Sequence, residues 1–414
     1  MKKKIIYCLS IIFAIVYLII GFKIATKNAL FFNSEYASTY RKVEVAKIIS
    51  SYYDEYNMNK VVTAEAKVLN RKEGDPEEIV LTQTIDSYSI LQDEVYVGQR
   101  VFAFKNEEMS GEVTWYADEP VRLDTIVLLC VVFFIFLVIF GRFKGINTII
   151  SLSCTCLAIF AVYVPGILSG FNIYLLTIIT AMYIIIMTIL IVMGVDKKAL
   201  ASALGCLSGA ITTALLTWGM SKVLMLTGIT DEHSMYLQFI NGVELDLVGI
   251  IFGAITIGAI GAIMDVAISI ASSLKEVYET AERPTFKSLV KSGINIGRDM
   301  MGTMSNTLVL AYIGSSLSVV LLLCAYNDSV EYLLNREMII VEMLQALVGS
   351  FGILLTIPLT TVISSGIYLK SNQKVKEIEE PKKEVVEEKV EKEEKREMTR
   401  EEIFDEIDKL KNEK

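Results

Sequence analysis

The chain has 414 residues, is 53% hydrophobic and carries a formal net charge of −9; its mean hydropathy is +0.50. A chain this apolar is not an ordinary soluble globule, and the absence of a basic patch with interleaved aromatics excludes a nucleic-acid function. Several runs approach the ~20 apolar residues that cross a hydrocarbon core of ~30 Å, the mark of a polytopic membrane protein.

Lys2, Lys3 and Lys4 precede an apolar run over 5–22. The run is longer than a usual signal-peptide core, and no small-x-small cleavage site follows it cleanly. Tyr7 before Cys8 does not suit a lipoprotein signal. The segment 1–22 is therefore expected to be an uncleaved anchor. Residues 23–123 read as a soluble segment outside the membrane. Short alternating runs fall at 43–49, 61–69, 78–85, 100–105 and 112–116. Val62, Ala64, Ala66 and Val68 share one strand face; Val61, Thr63, Glu65, Lys67 and Leu69 share the other. Gly74-Asp75-Pro76 and Gly98 read as turns. Five short strands predict a small β-barrel, OB-like, with no visible catalytic set.

Further spans read as 124–141, 146–164, 172–194, 199–227, 246–274, 303–325 and 343–369, which with the anchor makes about eight. Gly219 marks a place where the span 199–227 could tilt or break; Gly205, Gly209, Thr212 and Thr213 read as close-packing residues. Arg142, Lys144, Lys197, Lys198, Lys275, Arg283, Lys287, Lys291 and Arg298 fall on the side of the amino terminus. The loops 165–171 and 228–245 hold no Lys or Arg, and 326–342 holds only Arg336. The positive-inside rule then sets both termini in the cytoplasm.

The span around Asp265 carries the chemistry. At helical spacing Gly258, Gly261, Asp265, Ser269 and Ser272 line one face, opposite Ile257, Ile260, Ile263 and Ile270. A charged Asp in hydrocarbon costs roughly 2.5–3.5 kcal/mol on insertion scales, so it is a functional candidate by default. The acid either exchanges a proton or cation, or fixes helix packing through a pair. A polar stretch, 275–291, follows; it predicts an amphipathic helix laying Phe286, Leu289 and Val290 on the membrane surface. Then comes Gly297-Arg298-Asp299-Met300-Met301-Gly302-Thr303-Met304-Ser305-Asn306-Thr307. Asp299, Thr303 and Asn306 share a stripe, from which Thr303 and Asn306 are expected to hydrogen-bond across to the Asp265 helix. Arg298 either pairs with Asp265 or Asp299 or snorkels to headgroups.

The remaining polar points are weaker. All six cysteines sit in or beside apolar spans, and Cys154-x-Cys156 would point about 200° apart on a helix, poor for one metal. His233 stands alone, so no metal or cofactor is expected. Glu244, Asp246 and Glu342 read as interface residues. Pro358 predicts a kink, with Thr356, Thr360 and Thr361 near the freed carbonyl. No Walker loop, kinase set or HExxH motif appears, so the chain is read as no enzyme and any energy as drawn from an ion gradient. Residues 371–414 form a Lys/Glu-rich tail with an amphipathic stretch over 398–410.

In the segment from Gly261 to Ser273, built around Met264-Asp265-Val266, and in the segment opening with Gly297-Arg298-Asp299, the chain resembles the YibE/F family. The likeness is taken to cover most of 1–370. It implies a bacterial multi-pass membrane protein with an outer domain after the first span, and no particular activity. A more distant similarity joins the topology to half of an RND permease or of SecD and SecF, in which a membrane acid couples proton flow to an outer domain. This chain has two extra spans and a smaller outer domain than those proteins.

The expected architecture is mainly α: a bundle of about eight spans with a small extracytoplasmic β-barrel-like domain. Its parts are an anchor (1–22), the β domain (23–123), a helical membrane domain (124–370) and a charged cytoplasmic tail (371–414). The expected function is an ion-gradient-coupled transporter or export accessory of the inner membrane. Asp265, Ser269, Arg298, Asp299, Thr303 and Asn306 are the ion or proton relay candidates. The alternative is a non-transporting envelope scaffold or signalling protein. Partners are the lipid bilayer and an unidentified substrate or envelope protein, with self-association open.

Overall fold

The computed structural model describes residues 2–26, 40–54, 59–72, 74–86, 93–107, 113–237, 244–326 and 329–370. The expected tail helix over 398–410 lies outside them. The chain divides into two units, Thr26–Ile149 and Met1–Ala25 with Ile150–Lys414.

In the first unit five strands, β1 (Tyr40–Asp54), β2 (Asn59–Val68), β3 (Glu78–Asp86), β4 (Arg100–Glu107) and β5 (Val113–Pro120), close into a barrel in the order β1-β2-β3-β5-β4. Neighbours are antiparallel except β3 and β5, which run parallel and pair Leu81 with Trp115. The alternation in β2 decides which face is inside: Val62, Ala64, Ala66 and Val68 are 1%, 0%, 1% and 3% exposed. They meet Val43, Val45, Leu81, Val101 and Trp115 in the barrel core. Each large apolar side chain withdrawn from water there contributes roughly 1.5–3 kcal/mol. Gly74 and Gly98 sit at φ +93° and +87°, a region that disfavours a Cβ, and so turn the chain between strands. Arg41 is buried on β1 and holds Asp75 of the first of these turns through two guanidinium nitrogens, one at 3.2 Å. The same unit holds α2 (Leu123–Gly141), an apolar helix with no buried residue.

The second unit is helical: α1 (Lys2–Ala25), α3 (Phe143–Leu168, from Ile150 on), α4 (Ile173–Met193), α5 (Lys197–Val223), α6 (Glu232–Leu237), α7 (Leu247–Thr280), α8 (Phe286–Tyr326), α9 (Val330–Leu334) and α10 (Glu337–Lys370). Among the described residues seven helices are long and apolar enough to cross a membrane: α2, α3, α4, α5, α7, α8 and α10. The apolar part of α1, Leu9–Ala25, is shorter. Even so, α1 is built into the bundle. Ala14 is 1% exposed, and the Tyr17 ring stacks on Tyr183 at 3.9 Å.

Helix caps follow from local sequence. Asn172 and Asp246 accept the backbone N–H groups of Leu175 and Gly249 at 3.0 and 2.9 Å, satisfying donors that a helix start leaves open. Thr285 and Ser288 bond each other's backbone N–H at the start of α8. The wall between helices is built from glycine against threonine. A Cβ on Gly205 would lie 2.3 Å from Thr360 Oγ1, and one on Gly209 1.9 Å from Thr356 Oγ1. One on Gly352 would lie 2.2 Å from Thr213 Oγ1. The small residues of α5 therefore let α10 approach at backbone distance. Gly219, by contrast, faces open space, and α5 runs unbroken through it, so no break occurs there. α10 likewise runs as helix through Pro358. Thr356 donates to the Gly352 carbonyl at 2.6 Å, while the Thr360 and Thr361 hydroxyls, both buried, have no hydrogen-bond partner among the described residues.

Candidate functional site

The site is built on α7. Its 34 residues reach about 51 Å at 1.5 Å per residue, beyond what a bilayer core needs. One side is dry. Ile260, Ile263, Val266, Ala267, Ile270 and Leu274 are between 0% and 2% exposed and pack against the surrounding helices. The other side is the small, polar stripe. Gly258, Gly261 and Asp265 are exposed, and Ser269 and Ser272 are half-buried. Helical periodicity alone separates the two sides, because isoleucines recur where the bundle closes and glycines where it does not.

The stripe narrows at one end. A Cβ on Gly258 would stand 3.2 Å from the Tyr312 hydroxyl of α8 and 3.7 Å from the Gln345 amide of α10. One turn on, Gly261 has no atom within 4 Å of that position. Asp265 lies beyond it, with no hydrogen bond or ion pair among the described residues. A carboxyl group thus stands on an open face of an apolar helix, with glycines ahead of it that leave room for water or an ion.

α8 supplies a different surface. Its Met301, Met304 and Leu308 join a cluster that also holds Ala262, Val266 and Ile270 of α7 and Ile353 and Ile357 of α10. Two of its glycines face α10 closely: a Cβ on Gly297 would stand 2.2 Å from Ile357, and one on Gly293 2.6 Å from Thr361 and 2.9 Å from Leu274 of α7. Arg298, Asp299, Thr303 and Asn306 are all exposed. Thr303 donates to the Met300 carbonyl at 3.0 Å, within its own helix. No described carboxylate pairs with Arg298, and no hydrogen bond carries Thr303 or Asn306 across to α7. The structure therefore brings Asp265 and Ser269 onto one stripe and leaves the four α8 candidates on another face. Flexible methionines, not short polar groups, carry α8 into the apolar cluster it shares with α7 and α10.

The segment before α8 also differs from its expected form. α7 continues to Thr280 and α8 starts at Phe286, so no separate surface helix lies between them. Leu289 is 1% exposed and packs with Leu274, Val277 and Tyr278 rather than facing outward. Sequence reasoning passed over Tyr312 and Gln345, which border the stripe from two other helices. Neither carries a local signal, since only the crossing of α7, α8 and α10 brings them there.

Seven helices long and apolar enough to cross a membrane define a multi-pass integral membrane protein. The family model described as YibE/F-like protein matches residues 129–370, more than half of the chain, and the chain belongs to that family. The match begins inside α2, so it spans the helical block, most of residues 1–370, and leaves out α1 and the barrel. No curated protein and no solved structure matches the chain.

Proposed function

We propose that this YibE/F-like membrane protein is an ion-gradient-coupled transporter or export accessory of the bacterial cell membrane, rather than an enzyme, with both termini in the cytoplasm. Asp265 takes up and releases the coupling proton or cation, and Ser269, one turn away on the stripe, assists it. The single observation that carries this reading is the Asp265 carboxyl itself. It is exposed on a membrane-length helix, without a partner among the described residues, beside glycines that leave the approach open.

The physical argument is cost. A fixed negative charge at this depth is unfavourable by roughly 2.5–3.5 kcal/mol, and binding a proton or cation removes it. Arg298, Asp299, Thr303 and Asn306 then serve as a second station that meets Asp265 only after α8 turns relative to α7. Only 6% of the most apolar 18-residue window of α8 is buried, so few packed side chains there oppose such a turn.

Carbodiimides add to protonated carboxyl groups in apolar surroundings, which gives a test that needs no known substrate. In the purified protein Asp265 should be labelled near neutral pH, with labelling falling as pH rises, and Asp265→Asn should lose one proton from the pH-dependent uptake. A folded Asp265→Asn variant with unchanged proton uptake, together with an unlabelled Asp265, would remove the coupling role.

A further inference from the structure

A second feature of the bundle lies away from the Asp265 stripe. A cleft of about 320 Å³ opens between α4, α5 and α7. Its walls are apolar: Ile178 and Met182 from α4, Leu207, Leu215 and Trp218 from α5, Phe252 from α7. Several of these side chains are strongly exposed, Leu215 at 63% and Trp218 at 48%. In the membrane such a cleft is filled by hydrocarbon chains.

Besides the Tyr174 hydroxyl, two polar groups make the cleft selective. Thr256 lines it, is 2% exposed, and its hydroxyl has no hydrogen-bond partner among the described residues. A buried donor left unmade costs about 1–3 kcal/mol, so an acceptor brought by a ligand is worth that much. At the rim, the Lys222 ammonium lies over the Trp218 ring, 3.9 Å from its centroid. No carboxylate pairs with Lys222 among the described residues. The two groups also stand at different depths. Leu216 and Met220 pack with Ile251 and Ile255, which sets Thr256 near the level of Leu216. That is six residues below Lys222 on α5, about 9 Å at 1.5 Å per residue.

We propose that this cleft is a binding site for one net-anionic phospholipid. One acyl chain fills the cleft beside Trp218, an ester carbonyl accepts the Thr256 hydroxyl, and the headgroup phosphate is held by Lys222. A phospholipid carries its ester carbonyls just below its phosphate, in the same order as Thr256 below Lys222. The unpaired cation favours a headgroup with net negative charge over a zwitterionic one, and the site does not depend on Asp265.

The chain has two tryptophans, so the Trp115→Phe variant leaves Trp218 as the sole reporter in the cleft. In that background, full-length protein in detergent is titrated with phosphatidylglycerol carrying brominated acyl chains, which quench tryptophan on contact. Quenching should saturate, and brominated phosphatidylcholine should need about tenfold more lipid. Lys222→Gln should raise the half-saturation for phosphatidylglycerol about tenfold and Lys222→Arg should restore it. Thr256→Val should raise it about fivefold. Ala214→Phe, which fills the cleft, should abolish the saturable phase. Lys197→Gln, at the other end of α5, should change nothing. Quenching that never saturates, equal half-saturation for the two lipids, or indifference to Lys222→Gln would each overturn the proposal.

Discussion

Helices α7 and α8 are both long and apolar enough to span a membrane, yet 61% of one span is buried and 6% of the other. The difference does not lie in how apolar they are. It lies in where their small residues point. Around α7 a Cβ on Gly209 or Gly352 of the neighbouring helices would lie 2.9 or 3.0 Å from Ile263, and one on its own Gly253 1.9 Å from the Tyr163 hydroxyl. Farther along α8, beyond the close contacts of Gly293 and Gly297, a Cβ on Gly302 or Gly314 would meet nothing within 4 Å. Apolar composition selects a bilayer for a helix; only shape against a neighbour selects the interior of the bundle.

The largest expected effect tests that statement directly. Gly209→Leu would drive a Cβ to 1.9 Å from Thr356 Oγ1 and 2.9 Å from Ile263. Overpacking of this kind costs at least about 3 kcal/mol, so folded yield after detergent extraction should collapse. Gly302→Leu on α8, with open space around it, should extract and elute as the unaltered protein does. Equal losses from the two would show that burial in the bundle does not follow this contact.

A smaller contrast uses truncation. Ile263→Ala, at 0% exposure, should lower stability by about 2–5 kcal/mol, whereas Ile313→Ala on α8, at 54%, should stay within about 0.5 kcal/mol. Thermal unfolding of the two variants side by side measures the difference.

The barrel provides a reference in which the buried charge is paired. The Arg41 guanidinium beside Asp75 holds its carboxyl below the usual carboxylate range. A lowered folded pKa means the stabilisation is complete above the unfolded value of about 3.9 and is lost as pH falls through the folded one. In a Trp218→Phe background, Trp115 emission should report barrel unfolding at lower denaturant as pH drops below about 4. Asp75→Asn should cost about 2 kcal/mol near neutral pH and weaken that acid dependence. The smallest effect is at Gly98, whose φ of +87° makes Gly98→Ala cost roughly 1 kcal/mol by the same readout.

The extent to which the site could be read from sequence follows the same division. The α7 stripe was legible because helical spacing alone sorts Gly258, Gly261 and Asp265 from Ile260, Ile263 and Ile270. The α8 stripe of Asp299, Thr303 and Asn306 was equally legible as a stripe, but the side it faces was not. Which face of α8 meets α7 depends on how Met301, Met304 and Leu308 fit the gap, and spacing carries no information about a partner's shape. The Leu289 contact was hidden for the same reason, since an amphipathic segment looks alike against lipid and against Leu274.

Local sequence, by itself, determined the type of the elements: five alternating strands, membrane-length apolar helices and the turns at Gly74 and Gly98. These are set by periods of two and 3.6 residues and by backbone preferences that act within a few residues. Tertiary structure alone decided the barrel's closure through parallel β3 and β5, the glycine–threonine contacts between α5 and α10, and the outward face of α8. Those depend on the fit of surfaces distant along the chain, and van der Waals packing at such contacts falls off within an ångström of misfit.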